Sequence, residues 1–324
     1  MPVITVTNLS KRFNLEAGFF ARFGRFVYAV HDVSFSIGKN ESYGLVGESG
    51  CGKTTTARLL VRMYESDGGD IFFNDSIDVR HLKSGELKQY REKVKYVFQD
   101  PARSLNPRMT IYEALVSGYR FSSRWPGQKR ARSEAAAILE EVGLSEADLE
   151  RRPAEFSGGQ RQRISIARGL LMEPELLICD EVVSALDVSI QGQILNLLLD
   201  IKARRSLSFL FIAHDLKVAS YFCDRIGVMY RGEFMEEAPA ENLYRNAAHP
   251  YTKLLFSAAS RSPFDGAEAA AASPAPLGEV KTATARIAGC AFAERCPLAE
   301  ERCLRDRPDM RETGAGGLAR CHKV

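Results

Sequence analysis

A glycine-rich run between positions 47 and 54, Gly-Glu-Ser-Gly-Cys-Gly-Lys-Thr, has the spacing G-x-x-x-x-G-K-[ST] of a phosphate-binding loop. Its glycines permit positive φ angles, which turn successive backbone N–H groups toward one anion. A helix that starts after the loop would add the positive end of its dipole. Lys53 can neutralise the β- and γ-phosphates of a nucleotide, and the Thr54 hydroxyl can bind Mg²⁺. The residues predicted to hold phosphates are Gly47, Glu48, Ser49, Gly50, Cys51, Gly52, Lys53, Thr54 and Thr55.

Two acidic residues follow an apolar run further along the chain. Residues 176–181 read Leu-Leu-Ile-Cys-Asp-Glu, which predicts a buried strand that ends at Asp180 and Glu181. Because nucleotides bind at the carboxyl ends of parallel strands, both carboxylates are expected beside the phosphate loop. Asp180 is expected to hold Mg²⁺ through water, and Glu181 to orient or deprotonate the attacking water. Cys179, inside the run, is expected to fill the core.

A third pattern, Phe-Ser-Gly-Gly-Gln at 156–160, precedes Arg-Gln-Arg-Ile-Ser-Ile-Ala-Arg. Its Ser-Gly-Gly turn opens a helix and so offers a second anion site. The three motifs in this order resemble the ATP-binding cassette (ABC) ATPases, whose signature sequence most often has Leu where this chain has Phe156. The resemblance implies a signature turn that faces the γ-phosphate of ATP held by the other subunit of a head-to-tail pair. Its residues here are Ser157, Gly158, Gly159 and Gln160.

The remaining family motifs occur in the expected order. Gln99 resembles the glutamine that binds Mg²⁺ and senses the γ-phosphate, and Asp187 ends the loop that crosses the dimer interface. His214 resembles the switch histidine that contacts the γ-phosphate from a strand end. Phe13 stands where the family places the aromatic residue that stacks on adenine, with Tyr28 as the alternative. The resemblance thus implies catalysis by Glu181, His214, Lys53 and Gln99, with Mg²⁺ held by Thr54, Gln99 and Asp180.

The chain departs from the family at one position near the acidic pair. ABC ATPases usually have Pro after the second acidic residue, and this chain has Val182. Proline would fix φ and stiffen the turn toward the dimer loop. A slightly looser turn and slower ATP turnover are therefore expected.

Three further segments narrow the resemblance to the importers of oligopeptides, dipeptides and nickel. They are residues 99–108 (QDPARSLNPR), 184–189 (SALDVS) and 249–252 (HPYT). The resemblance implies import of peptides, with nickel or glutathione as alternative cargo. It also implies a heterodimer with a sister ATPase, two membrane permeases and an extracytoplasmic substrate-binding protein. The chain would then lie peripherally at the cytoplasmic face of the plasma membrane, with the loop at 105–108 docked on a permease.

Four cysteines crowd the last 35 positions with the spacing C-x5-C-x6-C-x17-C: Cys290, Cys296, Cys303 and Cys321. The pattern lacks the paired C-x2-C knuckles of zinc ribbons. Four thiolates could still bind zinc or an iron–sulfur cluster, and the resemblance implies a [4Fe–4S] cluster. Cysteines that are free or disulfide-bonded are the third interpretation of this pattern. Cys51, in the phosphate loop, is expected to be a small filler, with redox sensing as its alternative.

Short apolar runs and one strong helix former must position these residues. Residues 42–46, 94–98, 174–180 and 207–214 are predicted to be strands of a parallel α/β sheet, and residues 131–142 a helix. The fold class expected from the resemblance is a RecA-like α/β P-loop core with an antiparallel β subdomain, a helical insertion and a Cys-rich tail. The expected divisions are an ATPase domain at 1–260 with the insertion at about 102–160, a linker at 261–287 and the tail at 288–324.

Composition excludes several classes of protein. The chain has 324 residues, 45% of them hydrophobic, and a net charge of +3, which gives no reason to expect a nucleic-acid partner. No run reaches the ~18 apolar residues of a membrane span, and the first residues lack the apolar core of a secretory signal. A basic aromatic stretch at 14–28 is expected to be a loop or hairpin, with contact to lipid headgroups as its alternative. The rival function is a soluble ABC ATPase in DNA repair or translation; the signature motif argues against a kinase or GTPase.

Overall fold

The computed structural model describes residues 1–14, 26–259, 287–314 and 316–324. Nearly all of the predicted linker at 261–287 lies outside these ranges. Most of the basic aromatic stretch at 14–28 lies outside them as well, although its two ends belong to neighbouring strands. Within the described ranges, no helix is both long and apolar enough to cross a bilayer.

Twelve strands in the described ranges form two sheets. An antiparallel sheet has the order β2-β1-β4-β5, and a larger mixed sheet has the order β11-β12-β10-β9-β3-β8-β7-β6. The strands are β1 (Pro2–Asn14), β2 (Phe26–Gly38), β3 (Ser42–Val46), β4 (Gly68–Phe73), β5 (Ile77–Asp78), β6 (Val94–Val97), β7 (Leu176–Asp180), β8 (Ser208–Ala213), β9 (Arg225–Tyr230), β10 (Glu233–Pro239), β11 (Arg311–Glu312) and β12 (Leu318–Ala319).

The centre of the larger sheet is parallel, as the apolar runs predicted. Strand β8 lies between β3 and β7, and β6 lies beyond β7, with all three pairings parallel. Every residue of β3, β7 and β8 is buried, which explains why these strands are continuously apolar. The prediction for 42–46 matches β3, and the other three predicted runs each contain a strand. The carboxyl ends of these strands therefore meet at one edge.

Helices cover both faces of this sheet in the described part of the chain. They are α1 (Lys53–Leu60), α2 (Ser84–Lys93), α3 (Pro101–Ser104), α4 (Ile111–Tyr119), α5 (Gln128–Glu141), α6 (Gly158–Leu170), α7 (Val188–Arg205), α8 (Leu216–Phe222), α9 (Ala240–Asn246), α10 (Pro250–Ala259) and α11 (Glu301–Arg305). The predicted helix at 131–142 is confirmed as α5, which starts three residues earlier, immediately after Gly127 with a φ of 91°.

Two apolar cores hold the sheets and helices together. One core joins the antiparallel sheet to the parallel sheet, for example through Ile4 and Phe73 on one side and Ile178 on the other. The second core lies between the parallel sheet and helices α4 to α7, with Leu139 and Phe209 fully buried in it. The parallel strands are thus covered on both faces, so their ends are the part of the sheet left for polar chemistry.

The C-terminal segment packs on the body of the protein. Its strand β12 pairs antiparallel with β10, which places Ala319 opposite Glu236. Phe292 is buried with its ring 5.3 Å from that of Tyr230 and 5.2 Å from that of Tyr251. This segment therefore extends the large sheet and shares its core.

His249, beneath this segment, is expected to make stability depend on pH. The residue is 1% exposed, and burial lowers its pKa from 6.5 to about 4. Unfolded chains take up this proton near pH 6.5, whereas the folded chain takes it up only near pH 4. Stability present above pH 6.5 should therefore be lost as pH falls through this window, by about 3 kcal/mol in total. Urea unfolding across this range should give a shallower pH slope for His249→Gln; equal slopes would contradict the assignment.

Candidate nucleotide-binding site

The phosphate loop joins β3 to α1 through glycines that nothing larger could replace. A Cβ on Gly47 would lie 2.2 Å from the carbonyl oxygen of Met229. A Cβ on Gly52, whose φ is 113°, would lie 2.2 Å from the carbonyl oxygen of Ala29. The loop therefore keeps its path because neighbouring backbone occupies the space of a side chain. Helix α1 starts immediately afterwards at Lys53, so its N-terminal N–H groups border the loop.

The Lys53 side chain folds back into the phosphate loop, and its backbone begins helix α1. Its Nζ donates hydrogen bonds to the carbonyl oxygens of Gly47 at 2.7 Å and Glu48 at 3.0 Å, and the residue is 4% exposed. Ser49 and Gly50 form the exposed tip. Cys51 is fully buried, and burial raises the pKa of its thiol, which favours the filler interpretation over redox sensing. The loop thus holds one buried positive charge that attracts an anion.

Asp180 connects strand β7 to helix α1. One carboxylate oxygen accepts a hydrogen bond from Thr54 Oγ1 at 3.0 Å, and the other accepts one from the Tyr96 hydroxyl at 2.5 Å. Burial and the neighbouring Asp180 charge raise the pKa of Tyr96, so the phenol remains a donor. Thr54 and Asp180 present oxygen ligands of the type that Mg²⁺ prefers. The described residues contain no group of three or more His, Cys, Asp or Glu placed to hold a metal ion, so water and phosphate oxygens would have to complete its coordination.

Glu181, Gln99 and His214 meet where three neighbouring strands end. Gln99 Nε2 donates a hydrogen bond to Glu181 Oε2 at 2.8 Å, and His214 Nδ1 lies 3.9 Å from the same oxygen. Glu181 adopts a φ of 48°, unusual for a residue with a side chain, and its N–H donates to the carbonyl oxygen of Ile212. A carboxylate between an amide and an imidazole can hold and deprotonate a water molecule.

Val182, the departure from the usual proline, is 2% exposed and packs in the second core. The left-handed residue of the turn is Glu181 and not Val182, so valine meets no strain from a positive φ. Val182→Pro should stiffen the turn and raise the steady-state rate of ATP hydrolysis by about twofold, because fewer unproductive conformations remain. Phosphate release at saturating ATP measures this rate, and an unchanged rate would count against a loose turn.

The signature motif forms the capped start of α6. Ser157 Oγ accepts a hydrogen bond from the N–H of Gln160, whose side-chain oxygen accepts one from the N–H of Ser157. Ser157 and Gly158 are exposed. A Cβ on Gly159 would lie 2.7 Å from Ile190, at the start of α7. Phe156 is buried, with the Arg151 guanidinium 4.4 Å from its ring centre. The signature turn is thus exposed at Ser157 and Gly158, while Phe156 and Gly159 on either side of them pack against the protein.

Asp187 lies on the same surface as the signature turn. It precedes α7 and is exposed, as is Val188, which is 84% exposed although apolar. Leu186 connects the two features, because a Cβ on Gly158 would lie 3.7 Å from its side chain. Asp187 and Gly158 are therefore neighbouring exposed positions on one surface of the protein.

Phe13 and Tyr28, the two candidates for adenine stacking, lie on opposite faces of the antiparallel sheet. Strands β1 and β2 pair Phe13 with Val27 and Arg12 with Tyr28, and successive residues of a strand face opposite sides. The Phe13 ring meets that of Tyr64 edge-on at 5.2 Å. Tyr28 lines an open cavity. Only one of the two rings can therefore face a given nucleotide.

Phe13→Ala is expected to weaken ATP binding about twofold to tenfold, because stacking contributes about 0.5–1.5 kcal/mol beyond burial. Titration with a fluorescent ATP analogue measures the dissociation constant. Tyr28→Ala is the matched control and should leave it unchanged. A loss confined to Tyr28→Ala would move the adenine site to the other face of the sheet.

Three contacts with the site were not foreseen from the sequence. The Tyr96 hydroxyl holds the Asp180 carboxylate. The Tyr251 hydroxyl accepts a hydrogen bond from the N–H of Glu48 at 3.1 Å, and Arg295 forms an ion pair with the Glu48 carboxylate at 2.8 Å. The only available signal was that Tyr251 belongs to the segment 249–252, one of the three that resemble the peptide importers.

The four C-terminal cysteines line one small cavity together with His249 and His322. All four are free thiols, and Cys303 is buried. Burial, with a smaller contribution from the neighbouring cysteines, raises the pKa of Cys290 to about 11. The structure thus shows free cysteines, which is one form of the third interpretation. Thiols are also the donor type that a metal cluster uses. Among the residues that the structure describes, no three of these groups have metal-binding geometry.

Comparison with known proteins agrees with this geometry. The family model "ABC transporter" matches residues 30–184, and the model "Oligopeptide/dipeptide transporter, C-terminal region" matches residues 235–303. A putative peptide import ATP-binding protein of Brucella ovis is 42% identical over 321 residues, which cover 99% of this chain and 97% of that protein. The oligopeptide transport ATP-binding protein OppF of Bacillus subtilis is 49% identical over 233 residues, covering 72% and 76%.

A solved structure shares the fold. The dimeric ATP-binding cassette MJ0796, in a post-hydrolysis state with ADP and Pi, has a TM-score of 0.64 and 27% identity, covering 73% of this chain and 98% of its own. Together with the phosphate loop, the neighbouring strand ends at Asp180 and His214 and the signature turn, these similarities establish ATPase activity and membership of the ABC family. The chain is an ABC ATPase and belongs to the family of ATP-binding proteins of oligopeptide and dipeptide ABC transporters.

Proposed function

We propose that ATP hydrolysis by this chain drives the import of peptides through partner permeases. The observation that carries the proposal is likeness along nearly the whole chain, including the C-terminal segment, to a peptide import ATP-binding protein. The contacts among Gln99, Glu181 and His214, beside the pair Thr54–Asp180, support an intact hydrolytic site.

Each site residue has a proposed task. The loop at 47–54 binds the phosphates, with Lys53 offsetting their charge. Thr54, Asp180 and Gln99 would hold Mg²⁺, which offsets charge on the transferred phosphoryl group. Glu181 holds the attacking water and accepts its proton, while His214, whose Nδ1 lies 3.9 Å from the Glu181 carboxylate, contacts the γ-phosphate. Phe13 stacks on the adenine.

The active unit is proposed to be a head-to-tail heterodimer with a sister ATPase. The exposed turn at Ser157 and Gly158 and the exposed loop at Asp187 support such an interface. Each ATP would then lie between the phosphate loop of one subunit and the signature turn of the other. Opening and closing of the dimer would transmit force to the permeases.

The permease contact is proposed to lie on the loop after Gln99. Asn106, Pro107 and Arg108 are exposed and can contact a partner. Leu105 is 1% exposed, so its contribution to the expected docking segment at 105–108 is to anchor the loop from inside. The chain would thereby lie peripherally at the cytoplasmic face of the plasma membrane, with an extracytoplasmic binding protein delivering the peptide.

The four C-terminal cysteines are proposed to hold a [4Fe–4S] cluster, with zinc as the alternative. Four thiols around one cavity supply the donor set that such a cluster needs. Iron and acid-labile sulfide, measured per chain after anaerobic purification, test this directly. About four of each supports the cluster, one zinc per chain supports the alternative, and neither metal rejects both.

The experiment that tests the importer is a pull-down from native membranes with Mg-ATP. The tagged bait carries Glu181→Gln so that ATP stays bound. Recovery of two permeases and a sister ATPase is expected, and the control Arg108→Glu, on an exposed residue, should reduce recovery of the permeases but not of the sister ATPase. Recovery of ribosomes or DNA-repair proteins alone would refute transport. The binding protein can then be screened for peptides, nickel and glutathione.

A further inference from the structure

Glu48, in the phosphate loop, forms an ion pair with Arg295, which belongs to the C-terminal segment. Arg295 donates to both oxygens of its carboxylate, Nη1 to Oε2 at 2.8 Å and Nη2 to Oε1 at 3.1 Å. The Glu48 side chain is 9% exposed and that of Arg295 is 28% exposed. A two-pronged pair of this kind fixes orientation as well as distance.

Aromatic residues hold Arg295 in place. Its guanidinium lies 5.6 Å from the ring centre of Tyr230 and 5.9 Å from that of Phe292, and Nη1 also donates to the Tyr230 hydroxyl at 3.3 Å. The hydrogen bond to Glu48 raises the pKa of Arg295 above its already high ordinary value, so it remains charged. The position of Arg295 is therefore fixed by Tyr230 and Phe292, and its charge is available to Glu48.

A second contact fixes the backbone of the same loop residue. The Tyr251 hydroxyl accepts from the Glu48 N–H, and the rings of Tyr251 and Phe292 lie 5.2 Å apart. The amide and the carboxylate of Glu48 are thus both held by one aromatic cluster. Because Glu48 directly follows Gly47, this cluster limits how far the loop can move.

The ion pair also has an electrostatic consequence for nucleotide binding. A nearly buried carboxylate in a phosphate loop would repel a triphosphate, since like charges in a poorly solvated place interact strongly. Lys53 bonds to the Glu48 carbonyl and not to its carboxylate. In the described part of the chain, Arg295 is the cation that pairs with that carboxylate.

We propose that Arg295 is a positioning residue for ATP: it holds Glu48 and so keeps the phosphate loop in its binding conformation, and it thereby makes nucleotide affinity depend on the docked C-terminal segment. The inference rests on the proposed binding of the phosphates by the loop at 47–54. Arg295 stands next to Cys296 and inside the short helical turn Ala293–Arg295. A change that displaces this helical turn would therefore move Arg295, and through its ion pair with Glu48 would also move the phosphate loop.

The test uses the full-length protein and the variant Arg295→Gln. The dissociation constant of a fluorescent ATP analogue with Mg²⁺ should rise about fivefold, the lower end of typical coupling between two sites. Amide hydrogen exchange at residues 47–52 should become faster. The KM for ATP should rise similarly while kcat changes less than twofold, because Arg295 touches no reacting atom. Arg295→Lys should recover part of the affinity, since it restores charge without the fork.

Two further variants separate positioning from general docking. Glu294→Gln breaks the neighbouring ion pair with Arg231 without touching the loop, and should leave affinity unchanged. Glu48→Gln removes the group that Arg295 holds, so adding Arg295→Gln to it should cause no further loss. Unchanged affinity and exchange in Arg295→Gln would overturn the proposal, as would an equal loss in Glu294→Gln.

The experiment also distinguishes failure of the proposal from failure of its premise. Lys53→Ala should abolish binding of the analogue; retained binding would reject the loop at 47–54 as the phosphate site, whatever Arg295 does. If Arg295→Gln fails to fold, Glu48→Gln still gives an answer. Faster amide hydrogen exchange at residues 49–52 is expected in that variant only if the ion pair between Arg295 and Glu48 holds the loop. Unchanged exchange in that variant would overturn the proposal.

Discussion

Glu181→Gln is expected to slow ATP hydrolysis by about 10²–10⁴-fold while ATP still binds, the range typical of a positioned general base. The amide keeps the shape of the side chain and can still accept the hydrogen bond from Gln99 Nε2. It cannot take a proton from water, so hydrolysis slows while the phosphate loop and its charges stay unchanged. Single-turnover phosphate release gives the rate, and titration with the fluorescent ATP analogue gives the affinity.

Two comparisons decide whether Glu181 acts as the base. Glu181→Asp keeps the carboxylate but shortens its reach past Gln99 and His214, so a smaller loss is expected. Gln99→Ala removes the hydrogen-bond partner without removing the base, and should also cost less than Glu181→Gln. Hydrolysis within threefold of the unaltered rate in Glu181→Gln would place the base elsewhere.

Gly158→Asp is expected to reduce hydrolysis by about 10²-fold or more, because it places a negative charge where the signature turn should meet a γ-phosphate. The site has room for the change, since a Cβ on Gly158 would lie 3.7 Å from Leu186, an ordinary contact. ATP affinity of the isolated chain should stay the same, because the turn is proposed to act on the nucleotide held by the partner subunit. Steady-state hydrolysis by the assembled ATPase pair, together with binding to the isolated chain, measures both effects.

Gly158→Ala is the matched control for charge. It adds the same Cβ without a carboxylate, so hydrolysis should fall much less. Gly159 is unsuitable for this comparison, because a Cβ there would lie 2.7 Å from the Ile190 side chain, which would have to shift. Equal losses in Gly158→Ala and Gly158→Asp would mean that shape, and not charge, governs the turn. Weaker ATP binding in the isolated Gly158→Asp chain would contradict a site shared between subunits.

Features that depend on neighbours in the chain could be read from the sequence. The phosphate loop, the signature turn and strands such as Ser42–Val46 follow from glycine conformations, capping and apolar runs, all of which act within a few residues. Helix α5 follows for the same reason. The motif order was enough to name the ATPase family, because each motif carries its chemistry in adjacent residues.

Contacts between distant segments needed the folded chain. The hydrogen bond between Thr54 and Asp180 spans 126 positions, and the ion pair between Glu48 and Arg295 spans 247. Such contacts arise where strand ends meet and where the C-terminal segment packs on the core, and burial then selects the pairs that satisfy charge. Arg295 resembles any other arginine in the sequence. Its partner is chosen by the aromatic cluster that holds it over the phosphate loop, because only that packing brings the two charges together away from water.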